Sequence, residues 1–166
     1  MGQNKFYRLA VGLTVVGSLA VGGSALAAID AVAVAKTRDA NFHQLGAAFK
    51  KLNDQLKADK PDTAVIAAQA KTMHDLAKKL PSWFPKGTGM QAAAKTRAKD
   101  EIWSDPAGFA KVAKALEVET GKLEVIAKGG DVEAIKAQVK ATGGACGGCH
   151  TKFRGPDKDH EHEAHG

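Results

Sequence analysis

The chain has 166 residues, of which 24 are Lys or Arg and 18 are Asp or Glu, giving a formal net charge of +6. This length is enough for one domain. The positive excess is mild and forms no basic stripe interleaved with aromatic residues, so the sequence gives no support for nucleic-acid binding.

Residues 1–27 have the features of a secretory signal peptide. Lys5 and Arg8 make the start basic, an apolar stretch rich in small side chains follows, and Ala25-Leu26-Ala27 matches an A-x-A cleavage site. Cleavage there would leave a mature chain from Ala28 and lower the formal charge from +6 to +4. The alternative is an uncleaved membrane anchor, although the apolar run is short for a span of about 20 residues.

An amphipathic pattern predicts a first helix that follows Asp30, its N-cap, and reaches Lys57. Its apolar seam steps by three and four residues and is interrupted once, by Arg38. The seam consists of Ala31, Ala35, Arg38, Phe42, Leu45, Phe49, Leu52 and Leu56. Because a bare buried charge is costly, Arg38 must either be paired or reach solvent along its own stem.

A second helix is predicted to begin at Pro61, with Asp62 at its positive end, and to stop at Pro81. Its seam consists of Ile66, Gln69, Met73, Leu76 and Leu80. Residues 81–104 then form a long connection, a type of segment that is usually functional or mobile. It contains two Trp and one Phe, which predicts that it packs on an apolar surface.

Asp105 and Pro106 predict the N-cap and first position of a third helix, which Gly129-Gly130 ends. Asp131 caps a fourth. The apolar seam of the third helix consists of Phe109, Val112, Leu116, Glu119, Leu123 and Ile126. The seam of the fourth consists of Val132, Ile135, Val139, Thr142, Cys146, Cys149 and Phe153. Four amphipathic helices predict an all-α fold, an antiparallel up-down four-helix bundle over residues 28–156.

Near the end of the fourth helix stands Cys146-Gly147-Gly148-Cys149-His150, a C-x-x-C-H motif typical of covalent heme c attachment. Two thiols three residues apart on a helix face the same side and can both add to the vinyl groups of one porphyrin edge. The following His sits beside that edge, within reach of the iron. Because both cysteines share the apolar stripe of the helix, the sequence predicts one heme c inside the bundle, held by Cys146 and Cys149, with His150 as the axial iron ligand.

Three other uses of the cysteines compete with this interpretation: a redox dithiol, a zinc site and a disulfide. A redox C-x-x-C normally opens a helix after a strand, and no strand signal precedes this one. Zinc would want four ligands, and the chain has no second C-x-x-C. A disulfide would leave His150 without a role. Since heme c is attached outside the cytoplasmic membrane in bacteria, heme and signal peptide together predict a periplasmic protein.

Residues 157–166 are polar and contain His160, His162 and His165. Their composition predicts a disordered tail. Two alternatives are a cloning remnant and a spaced His tract that binds transition metals.

With four helices, a secretion signal and a C-terminal C-x-x-C-H, the chain resembles the cytochrome c′ family from about Asp30 to Arg154. The resemblance rests on four further pieces of sequence. They are Leu80-Pro81, Phe84-Pro85 with Gly87-Thr88, the run from Glu101 to Phe109, and Phe153-Arg154 after the heme motif. The C-x-x-C-H motif alone would not separate this family from other c-type cytochromes, whereas the middle stretch does.

The resemblance implies a role for individual residues. Arg38 would meet a heme propionate, and Phe42 would lie over the distal face, where the sequence alone favours an ordinary core residue. Arg154 would lie near the proximal face. Asp39, Thr96 and Arg97 are implied as further heme contacts, although Asp39 stands where many family members have Gln.

The first helix decides the state of the iron. Low-spin relatives of the family carry a Met there as sixth ligand, whereas this helix has none and Phe42 cannot ligate. Met73 is interpreted as core packing, and His43 and His74 as surface residues. The resemblance therefore implies a five-coordinate, high-spin heme that binds nitric oxide, and also carbon monoxide, at a crowded apolar site.

The alternative function is electron transfer, with Lys140 and Lys152 docking an acidic redox partner. No catalytic constellation supports an enzyme. The resemblance also implies a homodimer through the first two helices.

Overall fold

The computed structural model describes residues 30–91 and 96–156. In these ranges the chain forms α1 (Ala31–Leu56), α2 (Thr63–Lys79), α3 (Glu101–Ser104), α4 (Pro106–Gly129) and α5 (Val132–Phe153), with a 3-10 helix at Leu80–Trp83. The predicted signal peptide over residues 1–27 and the predicted tail over residues 157–166 lie outside the described residues. Within the described ranges, no helix carries the extended apolar run that a membrane span requires.

Aspartate side chains begin the long helices. Asp30, Asp62 and Asp131 each have extended backbone and accept two N–H groups from the first helical turn, and Asp105 accepts one. These groups would otherwise lack a partner. At the other end of α4, Gly130 adopts a left-handed conformation with φ of 74°, which glycine takes without steric penalty.

The second helix differs from the prediction at both ends. Its predicted start at Pro61 is wrong, since Thr63 is the first helical residue and Asp62 is the cap. The cap itself must be extended so that its carboxylate can reach back to the first turn. Pro81 does not end α2 either: the helix stops at Lys79, and Pro81 lies in the first turn of the 3-10 helix, where a missing N–H costs no hydrogen bond.

The four long helices form the all-α, antiparallel up-down bundle that the sequence predicts. Helix α1 packs along α2, α2 along α4, and α4 along α5, whereas α1 and α5 touch over only a short length. Fully buried side chains at the centre are Leu52, Ile66, Met73, Leu123 and Ile135. The weak contact between α1 and α5 leaves room for a cavity between these two helices.

The connection from α2 to α4 is fastened to the bundle at two places. The indole N–H of Trp103, in α3, lies 3.2 and 3.0 Å from the two carbonyls of Phe84-Pro85. Residues 97–99 run antiparallel to residues 153–155, joined by two backbone hydrogen bonds. The second attachment brings the connection against the end of α5, directly after the heme motif.

Candidate heme site

A cavity of about 660 Å³ lies between α1 and α5, within the roughly 300–1,000 Å³ typical of cofactor pockets. Helices α1 and α5 form its sides, and α2 and α4 close its inner end. The apolar side chains that line it include Leu45, Phe49, Met73, Leu80, Phe109 and Leu116. Two exposed lining residues, Asp39 and His43, mark its mouth.

Cys146 and Cys149 lie on the face of α5 that lines the cavity, and both are half-buried free thiols. Burial raises the pKa of both, to about 11 for Cys149, where repulsion from Cys146 adds to the effect. Redox dithiols need a depressed thiol pKa, so these raised values argue against that alternative. A zinc site needs four ligands, and the described residues contain no group of three or more Cys, His, Asp or Glu side chains placed to hold a metal ion.

His150 faces two spaces at once. It lines the main cavity and also a shallower outer hollow of about 390 Å³, which it shares with Arg97, Thr151 and Arg154. Partial burial lowers the pKa of His150, and the positive charge of Arg97 lowers it further. Both effects favour the neutral imidazole, the form that binds metal ions.

Arg38 is buried, with 3% of its surface exposed, so the alternative in which it reaches solvent is excluded. Its guanidinium donates to four neutral acceptors: the Trp83 carbonyl at 3.5 Å, the Thr88 hydroxyl and carbonyl at 3.4 and 3.1 Å, and the Thr96 hydroxyl at 2.8 Å. It also lies over the Phe84 ring, 4.7 Å from the centroid. Burial lowers the pKa of Arg38. Within the described residues, no carboxylate forms an ion pair with it.

Phe42 lies one helical turn beyond Arg38 and lines the same cavity. Its ring meets Trp83 edge-on, with 5.1 Å between centroids, and lies 6.1 Å from Phe84. Phe84 in turn packs edge-on against Phe109 at 4.9 Å. The aromatic residues of the long connection therefore pack on apolar surface, as predicted, and two of them form the backing of Phe42.

The remaining predicted heme contacts line this cavity as well. They are Asp39, Thr96, Arg97 and Arg154. The Asp39 side chain is 74% exposed and lies 3.4 Å from His43, so it belongs to the mouth of the cavity. Arg97 and Arg154 border both spaces beside His150, where the pairing of the connection with the end of α5 places them.

Two residues of α2 make contacts that the sequence did not predict. The prediction that Met73 packs in the core is confirmed, since it is fully buried, and its side chain also lines the cavity. His74, predicted to be a surface residue, keeps only 24% of its side chain exposed, and its Nδ1 lies 2.7 Å from a carboxylate oxygen of Glu124 in α4. Gly121 leaves room for the imidazole, since a Cβ there would come within 3.3 Å of its Nε2.

These surroundings fit a covalently attached heme. Two thiols and an imidazole stand on the α5 side, and an apolar wall around Phe42 stands on the α1 side. Arg38 supplies a buried positive charge with no carboxylate partner among the residues described. A heme has an apolar ring and two propionate carboxylates, and therefore complements both kinds of surface.

Comparison with known proteins also supports a heme site. A family model described as Cytochrome C' matches residues 33–154. A cytochrome c' from Rubrivivax gelatinosus is 35% identical over 117 residues, which are 70% of this chain and 90% of the relative. The solved structure of cytochrome c' from the same organism has a TM-score of 0.69 at 32% identity, covering 75% of this chain and 97% of that one. A nitric oxide complex of a cytochrome c prime mutant from Alcaligenes xylosoxidans has a TM-score of 0.67 at 27% identity, covering 74% and 94%.

Proposed function

The chain belongs to the cytochrome c′ family, whose cofactor is one covalent c-type heme, and from this premise we propose that it is a periplasmic protein that binds nitric oxide at a five-coordinate heme iron. Carbon monoxide is the second gas that the site would take. The observation that carries the proposal is Phe42, a side chain unable to ligate iron, on the cavity wall opposite the heme motif. Helix α1 contains no Met, and His43 at the mouth is 81% exposed and paired with Asp39.

In this proposal Cys146 and Cys149 hold the heme through two thioethers, and His150 binds the iron. When bound, the heme supplies an iron atom whose coordination position away from His150 is open to a diatomic ligand. Burial of His150 and the positive charge of Arg97 both lower the pKa of the imidazole, which favours the neutral, ligating form.

Thr96 adds a donor for one heme propionate. Its oxygen already accepts N–H groups from Arg38 at 2.8 Å and Ala98 at 3.2 Å, so both lone pairs are used. Its hydroxyl proton has no acceptor among the described residues, and the side chain lines the cavity. A propionate carboxylate would supply that acceptor and would also give Arg38 the negative partner that the described part of the protein does not provide.

The wall around Phe42 supports the choice of gas. Leu45, Phe49 and Met73 continue it as an apolar surface without hydrogen-bond donors. Such a surface cannot stabilise the polarised form of bound dioxygen, whereas nitric oxide and carbon monoxide depend less on a donor. The solved nitric oxide complex of the cytochrome c prime mutant from Alcaligenes xylosoxidans also supports nitric oxide as the ligand.

The visible spectrum of the purified ferrous protein tests the proposal. We expect a high-spin, five-coordinate spectrum at neutral pH, and a clear change on adding nitric oxide that reverses when the gas is removed. A low-spin, six-coordinate ferrous spectrum would contradict it, because a protein side chain would then occupy the position meant for the gas.

Met73 is the side chain that most needs to be tested as a sixth ligand, since its thioether is buried at the cavity. We expect Met73→Leu to leave the ferrous spectrum unchanged and to cost less than about 1.5 kcal/mol of stability, because the two side chains have similar volumes. Absorption spectroscopy and thermal unfolding measure the two effects. A shift from low-spin to high-spin in the variant would instead identify Met73 as a ligand.

Electron transfer is the second candidate function, and the exposure of two lysines supports it. Lys140 is exposed, and Lys152 keeps 52% of its side chain exposed although it pairs with Asp105, which also caps α4. Both lysines predicted to dock an acidic partner therefore lie on the surface. Rapid electron exchange with a periplasmic reductase, unaffected by nitric oxide, would favour the carrier function.

A further inference from the structure

Thr88 is the residue that Arg38 contacts most, although it lies 50 positions further along the chain. It is fully buried, with 0% of its surface exposed. Arg38 Nη1 donates to its hydroxyl at 3.4 Å, and Nη2 donates to its carbonyl at 3.1 Å. Two of the four hydrogen bonds from the guanidinium thus end on this one residue.

The hydroxyl of Thr88 has a defined orientation. It donates its own proton to the Pro85 carbonyl at 2.7 Å, so only its lone pairs can face Arg38. Gly87 completes the intervening turn with φ of 77°, a conformation that other residues rarely adopt. Thr88 therefore presents its acceptors from a hydrogen-bonded turn, and the guanidinium is held in one place.

From this geometry we propose that Thr88 is a positioning residue of the heme site, which holds Arg38 at the cavity wall and thereby raises the reduction potential of the heme. The proposal rests on the proposed function, in which this cavity holds the heme. Since no carboxylate among the described residues pairs with Arg38, its charge acts on whatever fills the cavity. A fixed positive charge favours the ferrous state, because reduction by one electron lowers the net charge of the heme by one unit.

Loss of the Thr88 hydroxyl would release the guanidinium. Arg38 Nη1 would keep only its 3.5 Å hydrogen bond to the Trp83 carbonyl, while the Pro85 carbonyl would still accept from the Trp103 indole. A buried guanidinium with fewer hydrogen bonds is less stable in that position. Moving the guanidinium toward the cavity mouth would relieve this cost, because water can hydrate it there. Solvent would then screen its charge from the heme, and the reduction potential would fall.

Potentiometric titration of the purified holoprotein tests the proposal with two matched variants. Thr88→Val keeps the side-chain shape and removes the hydroxyl, whereas Thr88→Ser keeps the hydroxyl and removes one methyl group. We expect Thr88→Val to lower the midpoint potential, by less than Arg38→Gln does, and Thr88→Ser to stay close to the wild type. In the Arg38→Gln background, Thr88→Val should cause no further shift.

Three results would overturn the proposal. An unchanged potential in Thr88→Val, with a lowered one in Arg38→Gln, would reject the role of Thr88 and leave the proposed function intact. Equal shifts in both backgrounds would show that Thr88 acts independently of Arg38. No shift in any variant would reject Arg38 as well. If Thr88→Val does not retain heme, Thr88→Ala against Thr88→Ser gives the same comparison, since these two differ only in the hydroxyl.

The ferrous spectrum with and without nitric oxide is recorded on the same samples. It reports on the proposed function independently of the midpoint potential. A six-coordinate spectrum in the wild type would reject gas binding at an open position, while the comparison of the Thr88 variants would still decide the role of this residue.

Discussion

Replacing both Cys146 and Cys149 with serine should yield a protein without covalently bound heme. Serine cannot form the thioethers, but its side chain is close in size to that of cysteine, so the packing at these two half-buried positions on α5 would change little. Without heme, the cavity of about 660 Å³ would expose its apolar lining to water. Burial of one large apolar side chain stabilises a protein by roughly 1.5–3 kcal/mol, and this stabilisation would be lost for each lining side chain that becomes exposed. We expect a loss of about 3 kcal/mol or more, which corresponds to roughly 6–12 °C in melting temperature for a chain of this size.

Acid–acetone extraction followed by a pyridine hemochrome spectrum measures the covalent heme, and thermal unfolding measures the stability. Ala145→Ser is the matched control, since it places the same hydroxyl beside the motif on α5 and should retain the heme. The single variants Cys146→Ser and Cys149→Ser should each keep one thioether. Heme that resists extraction from the double variant would contradict the attachment.

Replacing Phe42 with alanine should strengthen the binding of carbon monoxide and nitric oxide to the ferrous protein. A ligand on this side of the cavity has to displace the Phe42 ring, which is backed by Trp83 at 5.1 Å and by Phe84 at 6.1 Å. Such aromatic contacts contribute about 0.5–1.5 kcal/mol each beyond apolar burial. Removing about 1–3 kcal/mol of displacement cost would raise the affinity roughly 5- to 150-fold, at 1.4 kcal/mol per tenfold change.

Equilibrium titration of the ferrous protein with carbon monoxide measures this change. Phe49→Ala is the matched control, because Phe49 is also a half-buried phenylalanine of α1 that lines the cavity, and its ring lies near Gly143 of α5. We expect the control to lose stability but to change the carbon monoxide affinity less than about threefold. A threefold change in affinity corresponds to about 0.7 kcal/mol of binding free energy. An equal rise in both variants would mean that the effect comes from loosening the bundle.

Signals within a few residues of one another were enough for the helices and for the heme motif. Asp30, Asp105 and Asp131 cap the helices that they were predicted to cap, and Gly130 ends α4. A cap acts on the next two or three N–H groups, so the neighbouring sequence contains all the information that it needs. The start of α2 was misplaced because Pro61 and Asp62 both suit the beginning of a helix, and only the backbone shows which residue caps it.

Residues that act over long distances in sequence could be named only in part. All of the predicted site residues line one cavity, but their order around it was not predictable. Thr88 and Thr96, which hold Arg38, lie 50 and 58 residues after it in the sequence. His74 and Glu124, which contact each other, are also 50 residues apart. No periodicity within a helix reports such contacts, since it indicates which face is buried and not which partner covers it.

By itself, the sequence determined four amphipathic helices, the N-caps of three of them, and two thiols with an imidazole on the buried stripe of the last helix. The tertiary structure alone decided that α1 and α5 stay apart and leave a cavity, that Met73 reaches it, and that a turn after the second helix holds Arg38 in its wall. The physical reason is the distance along the sequence over which each kind of interaction acts. Capping and helical spacing act within about one turn, whereas the cavity and the environment of a buried charge depend on how all four helices and their longest connection pack together.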